Sequence, residues 1–165
     1  MGHHQQMIEP VLSLSMANLG FYLCTPKSSA EFNAYYDLRW RLLRKPWGQA
    51  LGSEKDGNET NAFHILVCSL DGQAKGVGRI HFVTPQQGQI RYMAIEPTLR
   101  NNGLGTKILL RLENYAKSKN IESIIINARE NAVGFYRKHG YDIYAEGETL
   151  FEHIKHYKML KHIRL

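Results

Sequence analysis

A chain of 165 residues is long enough for one hydrophobic core of ordinary size and too short for two. Its 43% hydrophobic and 10% aromatic content predicts a packed soluble globule, with no apolar run of membrane-span length and no secretory signal at the N-terminus, so the expected setting is cytoplasmic. The formal charge of +6 suits either a nucleic-acid partner or a site for a polyanionic small molecule. The basic groups "RWRLLRK" and "KHYKMLKHIR" are interleaved with apolar residues, which predicts amphipathic elements with a solvated basic face and makes nucleic acid the minor reading.

Residues 1–15 lack a clear period and are expected to form a loose arm, leaving 16–165 as one domain. Ser28 followed by Glu31 has capping-box spacing, and Phe32, Tyr35, Tyr36, Leu42 and Leu43 recur at helical intervals up to Pro46. The polar "GQALGSEKDGNET" predicts a loop that either shapes a substrate entrance or merely connects. Three runs, "AFHILVCSL", "AKGVGRIHFV" and "QIRYMAI", predict an antiparallel meander. A helix over Leu104 to Ser118 and a buried strand "IESIIINA" then imply a crossover to a parallel neighbour. A short helix is predicted over 131–139, stopped at Gly140, with a final strand in "FEHIKHYKML". Cys24 and Cys68 have neither metal-ligand spacing nor a disulfide framework, and no histidine set has ligand spacing, so reduced thiols and no metal are expected.

In "AIEPTLRNNGLGTKIL" a strand-like run passes through a glycine-bearing turn into a helix, with Arg100, Gly103 and Gly105 spaced R-x-x-G-x-G. Unbonded amides and the helix dipole make such an N-terminus attractive to phosphates. Gly103 and Gly105 permit close approach, and Arg100, Asn101, Asn102 and Thr106 can add polar contacts. Neither G-x-G-x-x-G nor a P-loop is present. The stretch resembles the acetyl-CoA motif of the GNAT N-acetyltransferase superfamily. "NAVGFYRKHGY" resembles that family's later helix and strand, in the expected order, and the resemblance spans about residues 21–162. A finer likeness, carried by "YYDLRWRLLRKPWGQALGSE" and "SIIINARENAVGFYRKHGY", is to the GNAT module that precedes a hotdog domain in some bacterial two-domain proteins.

The resemblance implies an α/β GNAT fold, a mixed but mainly antiparallel central sheet flanked by helices and splayed where acetyl-CoA enters. It implies main-chain contacts to the cofactor arm from Met93, Ala94 and Ile95, phosphate contacts from Arg100, Asn101, Asn102, Gly103, Leu104, Gly105 and Thr106, and further contacts from Asn131 and Tyr136. Tyr136 matches the tyrosine that protonates the departing thiolate. Many members have asparagine seven residues before that tyrosine, where this chain has Arg129; this places Arg129 toward a phosphate, an acidic acceptor, or surface Glu130 or Glu146. For the base that takes the amine proton, Glu96 at the end of the cofactor strand comes first, His156 resembles an acceptor-facing histidine, and His81 is a third candidate. The expected function is direct transfer of an acetyl group from acetyl-CoA to an amine of a small molecule or protein. A non-catalytic acyl-CoA-binding module working with a separate partner is the alternative, and a nucleic-acid regulator a weaker one. No membrane contact is expected, and a homodimer through sheet edges or terminal strands fits the family.

Overall fold

The computed structural model describes residues 9–10 and 20–164; most of the expected N-terminal arm lies outside them. Eight strands form one sheet among the described residues: β1 (Glu9–Pro10), β2 (Phe21–Cys24), β3 (Phe63–Ser69), β4 (Ala74–Phe82), β5 (Gln87–Ile95), β6 (Ser123–Arg129), β7 (Asp142–Leu150) and β8 (Ile154–His162). Their order is β1-β2-β3-β4-β5-β6-β8-β7, and only β5 and β6 run parallel. The meander is β3-β4-β5, and the crossover from β5 to β6 carries a helix as expected.

Strand β3 is buried on both faces, and its alternation sorts the core into two layers. Ile65 and Val67 face helix α2 (Leu104–Ser118), whose Ile108, Leu109 and Leu112 fill the larger cluster. Leu66 and Cys68 face helix α1 (Ser29–Leu43), whose Tyr35 and Leu38 fill the smaller one. Helix α2 sits close to β4 because Gly78 has no side chain there: a Cβ would lie 2.5 Å from Ile108 Cγ2 and 2.7 Å from Met93 Sδ. Helix α3 (Val133–Lys138) is short and ends before Gly140, whose φ of 93° only glycine adopts freely. Both cysteines are free, on neighbouring strands.

One expectation is corrected, and one strand is added to those predicted. "YDIYAEGETL" holds a strand, β7, that its mixed composition conceals; it pairs with β8, which inserts between β6 and β7. The basic residues of α1 do not make a uniform solvated face: Arg39 is fully buried. It can be so because Glu59 meets its guanidinium at 2.8 and 2.9 Å and three tyrosine rings surround it. In the C-terminal basic run, Lys161 likewise meets Glu113 at 2.9 Å and Arg164 meets Glu122 at 3.8 Å. No helix of the described residues is long and apolar enough to cross a membrane.

Candidate active site

Strands β5 and β6 pair only from Gln87–Ser123 to Ile90–Ile126. Beyond Ile90, β5 stays with β4 while β6 stays with β8, so the sheet opens between them. The opening begins beside a bulge. Val77 pairs with Ala94 and Arg79 with Arg91, so Gly78 alone spans Tyr92 and Met93. Tyr92 takes the strained φ of 58°, a conformation that costs about 1–3 kcal/mol and persists only where surroundings hold it. Four guanidinium groups do so, Arg39 at 3.7 Å, Arg91 at 4.6 Å, Arg79 at 5.0 Å and Arg44 at 5.7 Å from the ring centre.

The loop between α1 and β3 supplies the counter-charges. Asp56 meets Arg79 at 2.7 Å and Arg91 at 2.8 Å, and Glu59 meets Arg39 and Arg79. Burial opposes ionisation of Asp56, but hydrogen bonds from Arg79 and the Asn58 amide, with the charges of Arg79 and Arg91, hold its carboxyl well below the usual range. Beside the two roles expected for this loop, an entrance or a connector, the structure displays a third, a clamp behind the bulge. His81 belongs to the same cluster, its Nδ1 3.0 Å from Arg79 Nη2, and it does not line the cleft.

A cleft of about 340 Å³ occupies the opening. Met93 of β5, Ala128 and Arg129 of β6, Tyr136 of α3, His156 and Lys158 of β8, and Leu43 and Arg44 at the end of α1 are among its walls. Tyr136 is buried and its hydroxyl makes no hydrogen bond among the described residues; burial raises its pKa, so it stays protonated. His156 is 8% exposed and donates from Nδ1 to the Ile154 carbonyl at 2.9 Å, which leaves the lone pair on Nε2. Burial lowers its pKa, aided by the charges of Arg129 and Arg44, while the carbonyls of Ile154 and Glu148 act in the opposite sense. The imidazole is therefore neutral at neutral pH. Glu96 stands apart: it does not line the cleft, and Arg41 Nη2 meets its carboxylate at 3.1 Å. The sequence points to Tyr136, His156 and Met93, which line one cleft, and does not reveal Arg44 and Tyr92, whose places depend on where α1 ends and on the bulge.

The glycine turn lies beyond the cleft lining, before α2. Asn101 and Gly103 both take positive φ, 66° and 78°, and Asn102 Nδ2 ties the turn to the Leu99 carbonyl at 3.2 Å. Arg100, Asn101, Asn102 and Gly103 are exposed, while Leu104 is buried in the core. Helix α2 has no side-chain cap and no acid in its first turn. Gly105 answers to packing as well: a Cβ there would meet the Phe135 ring at 3.4 Å. Thr106 Oγ1 lies 3.1 Å from His139 Nε2. Asn131 is exposed in the turn that leads into α3, and Ala94 and Ile95 pack into the two core layers. Exposed amides of an uncapped helix, with no competing carboxylate, fit a diphosphate. Among the described residues no group of His, Cys, Asp or Glu is arranged to hold a metal.

Comparison with known proteins bears on the family and the fold. Residues 32–141 match the Acetyltransferase (GNAT) family. The chain is 34% identical over 136 residues to a Bacillus subtilis protein named uncharacterized N-acetyltransferase YjcF, covering 82% of this chain and 95% of that one. An acetyltransferase of the GNAT family from Staphylococcus aureus superposes with a TM-score of 0.74 at 11% identity, covering 88% of this chain and 100% of that one. A GNAT family acetyltransferase from Elizabethkingia anophelis with acetyl-CoA bound superposes at 0.65 and 15% identity, covering 87% and 98%.

Proposed function

The chain belongs to the acetyltransferase (GNAT) family, and from that premise we propose that it moves an acetyl group from acetyl-CoA directly to the amine of an acceptor bound in the cleft. The observation that carries this reading is the opening between β5 and β6, where Met93, Tyr136 and His156 line one cleft beside unpaired strand edges. The edge of β5 over Met93, Ala94 and Ile95 can receive the pantetheine arm as an added strand, and the amides of the Arg100 to Thr106 turn, with Asn131 nearby, suit the phosphates. An amide of the bulged strand near Ala94 polarises the thioester carbonyl. His156 Nε2 takes the proton of the attacking amine, and Tyr136, kept protonated by burial, gives one to the departing thiolate. We assign the base to His156 over Glu96 because Arg41 occupies the Glu96 carboxylate.

Thiol release from acetyl-CoA against a panel of amines tests the reaction. Tyr136→Phe should lower turnover by about 10²–10⁴-fold with acetyl-CoA affinity unchanged. Because the His156 pKa lies below its ordinary 6.5, wild-type turnover should hold through neutrality and fall only as pH drops through that lowered value, and His156→Gln should remove this limb. Binding of acetyl-CoA without thiol release on any amine would replace the transferase with a binding module. An unchanged acid limb in His156→Gln would return the base to Glu96 or a water.

A further inference from the structure

The cleft contains two arginines that have no carboxylate partner among the described residues. The three other arginines around Tyr92 each have a carboxylate partner, Arg39 with Glu59 at 2.8 Å, Arg79 with Asp56 at 2.7 Å and Arg91 with Asp56 at 2.8 Å. Arg44 donates to the carbonyls of Ser53 at 3.1 Å and Leu43 at 3.2 Å and interacts with the Tyr92 side chain, and Arg129 donates to the Leu43 carbonyl at 3.1 Å. Neither has a carboxylate partner among the described residues. A carbonyl satisfies an N–H but does not neutralise a guanidinium, and each group keeps further donors. Both are half-buried and burial lowers both pKa values; the charges of Arg91 and Arg39 add to this at Arg44, where Tyr92 opposes it, and the charge of Arg44 adds to it at Arg129. Lys158 adds positive charge to the same walls, against one exposed carboxylate, Glu148.

We infer that the acceptor is a small amine carrying its own oxyanion, a carboxylate or a phosphate, which Arg44 and Arg129 hold inside the cleft. The amine in this inference rests on the acetyltransferase reading; the anion rests on the arginines alone. Guanidinium forks match either oxyanion in a bidentate way. The phosphates of acetyl-CoA are not the group required here, because the turn that suits them contributes no residue to the cleft lining. Position limits the acceptor's size. Arg129 lies directly opposite His156 in the β6–β8 pairing, where opposite Cα atoms are about 4.5–5.5 Å apart and side chains share a face. Anion and amine are then separated by only a few bonds, as in an α-amino acid or a short aminoalkyl phosphate.

The test is calorimetry on the full chain with coenzyme A present, using pairs that differ only in charge: α-amino acids against their α-carboxamides, and phosphoethanolamine against ethanolamine. The anionic member of at least one pair should bind about 10–100-fold more tightly, the range expected of hydrogen bonds to charged groups. That preference should collapse in Arg44→Gln and in Arg129→Gln while acetyl-CoA affinity stays at the wild-type value. Neutral members binding as well as anionic ones across the panel would overturn the inference, and this wild-type comparison stands even where a variant does not fold. A preference that survives both substitutions would also overturn it. Anionic ligands that bind selectively but are never acetylated would sink the transferase reading and uphold the anion site; acetylation of neutral amines without preference would do the reverse.

Discussion

Helices α1 and α2 are each 15 residues long and begin in opposite ways. At α1 the chain supplies its own partners: Ser28 Oγ accepts from the Glu31 amide and Glu31 Oε1 accepts from the Ser28 amide, both at 3.1 Å. At α2 the capping position is Gly103 in the left-handed region, with no side-chain cap and no acid in the first turn. Every helix start leaves amides without intrahelical acceptors. Where a side chain satisfies them the helix end contributes to stability. Where none does, and the turn is exposed, the same amides are free for an anion. A serine with a glutamate three residues on, or a glycine with no acid, therefore separates a helix start capped by its own chain from the one proposed to hold the phosphates.

The largest effect should come from making the second start resemble the first in charge. Gly103→Glu places a carboxylate where the phosphates are proposed to lie. A unit charge about 4 Å from a like charge is repelled by about 4 kcal/mol at the effective dielectric of a protein surface, before salt screening. Acetyl-CoA affinity should therefore fall by about 10²-fold or more. Calorimetry on a variant whose melting curve remains cooperative is the check, and unchanged affinity would move the phosphate site elsewhere. Removing the cap of α1 should do something different. Ser28→Ala should cost about 1 kcal/mol in denaturant unfolding and leave acetyl-CoA affinity alone, since that end serves only the fold. A comparable drop in affinity would erase the distinction.

The smallest effect separates the two ends by pH. The hydrogen bond from the Ser28 amide is the leading cause that holds the Glu31 pKa below its ordinary 4.5. A carboxylate whose folded pKa is depressed contributes stability above its unfolded value and loses it as pH falls through the folded one. Part of the acid destabilisation below pH 4.5 should therefore disappear in Glu31→Gln, read as a shallower fall in stability from urea titrations at successive pH values. The half-buried pair Asp56 and Glu59, depressed by their arginines, should supply the larger remainder with the same sign. An unaltered acid limb in Glu31→Gln would assign all of it to that pair.

Local chemistry alone determined much of this protein. The capping box, the glycine turn and the apolar periods of α1, α2 and β3 to β6 are written in neighbouring residues, because caps and amphipathic faces are short-range properties. Tyr136 and His156 stood out only through the family resemblance. Only the tertiary structure decided what depends on distant residues meeting. The strand β7 became visible as the partner of β8. The "RWRLLRK" run split into a fully buried Arg39, an Arg41 that engages Glu96, and an Arg44 in the cleft, because each points toward a different neighbour of one helix. Arg129 and His156, 27 positions apart in sequence, share a wall because an antiparallel pairing sets them opposite each other. A charge run carries no label saying which of its members will find a carboxylate. That depends on which carboxylates the fold brings near, and here it supplied Glu59 to Arg39 and none to Arg44.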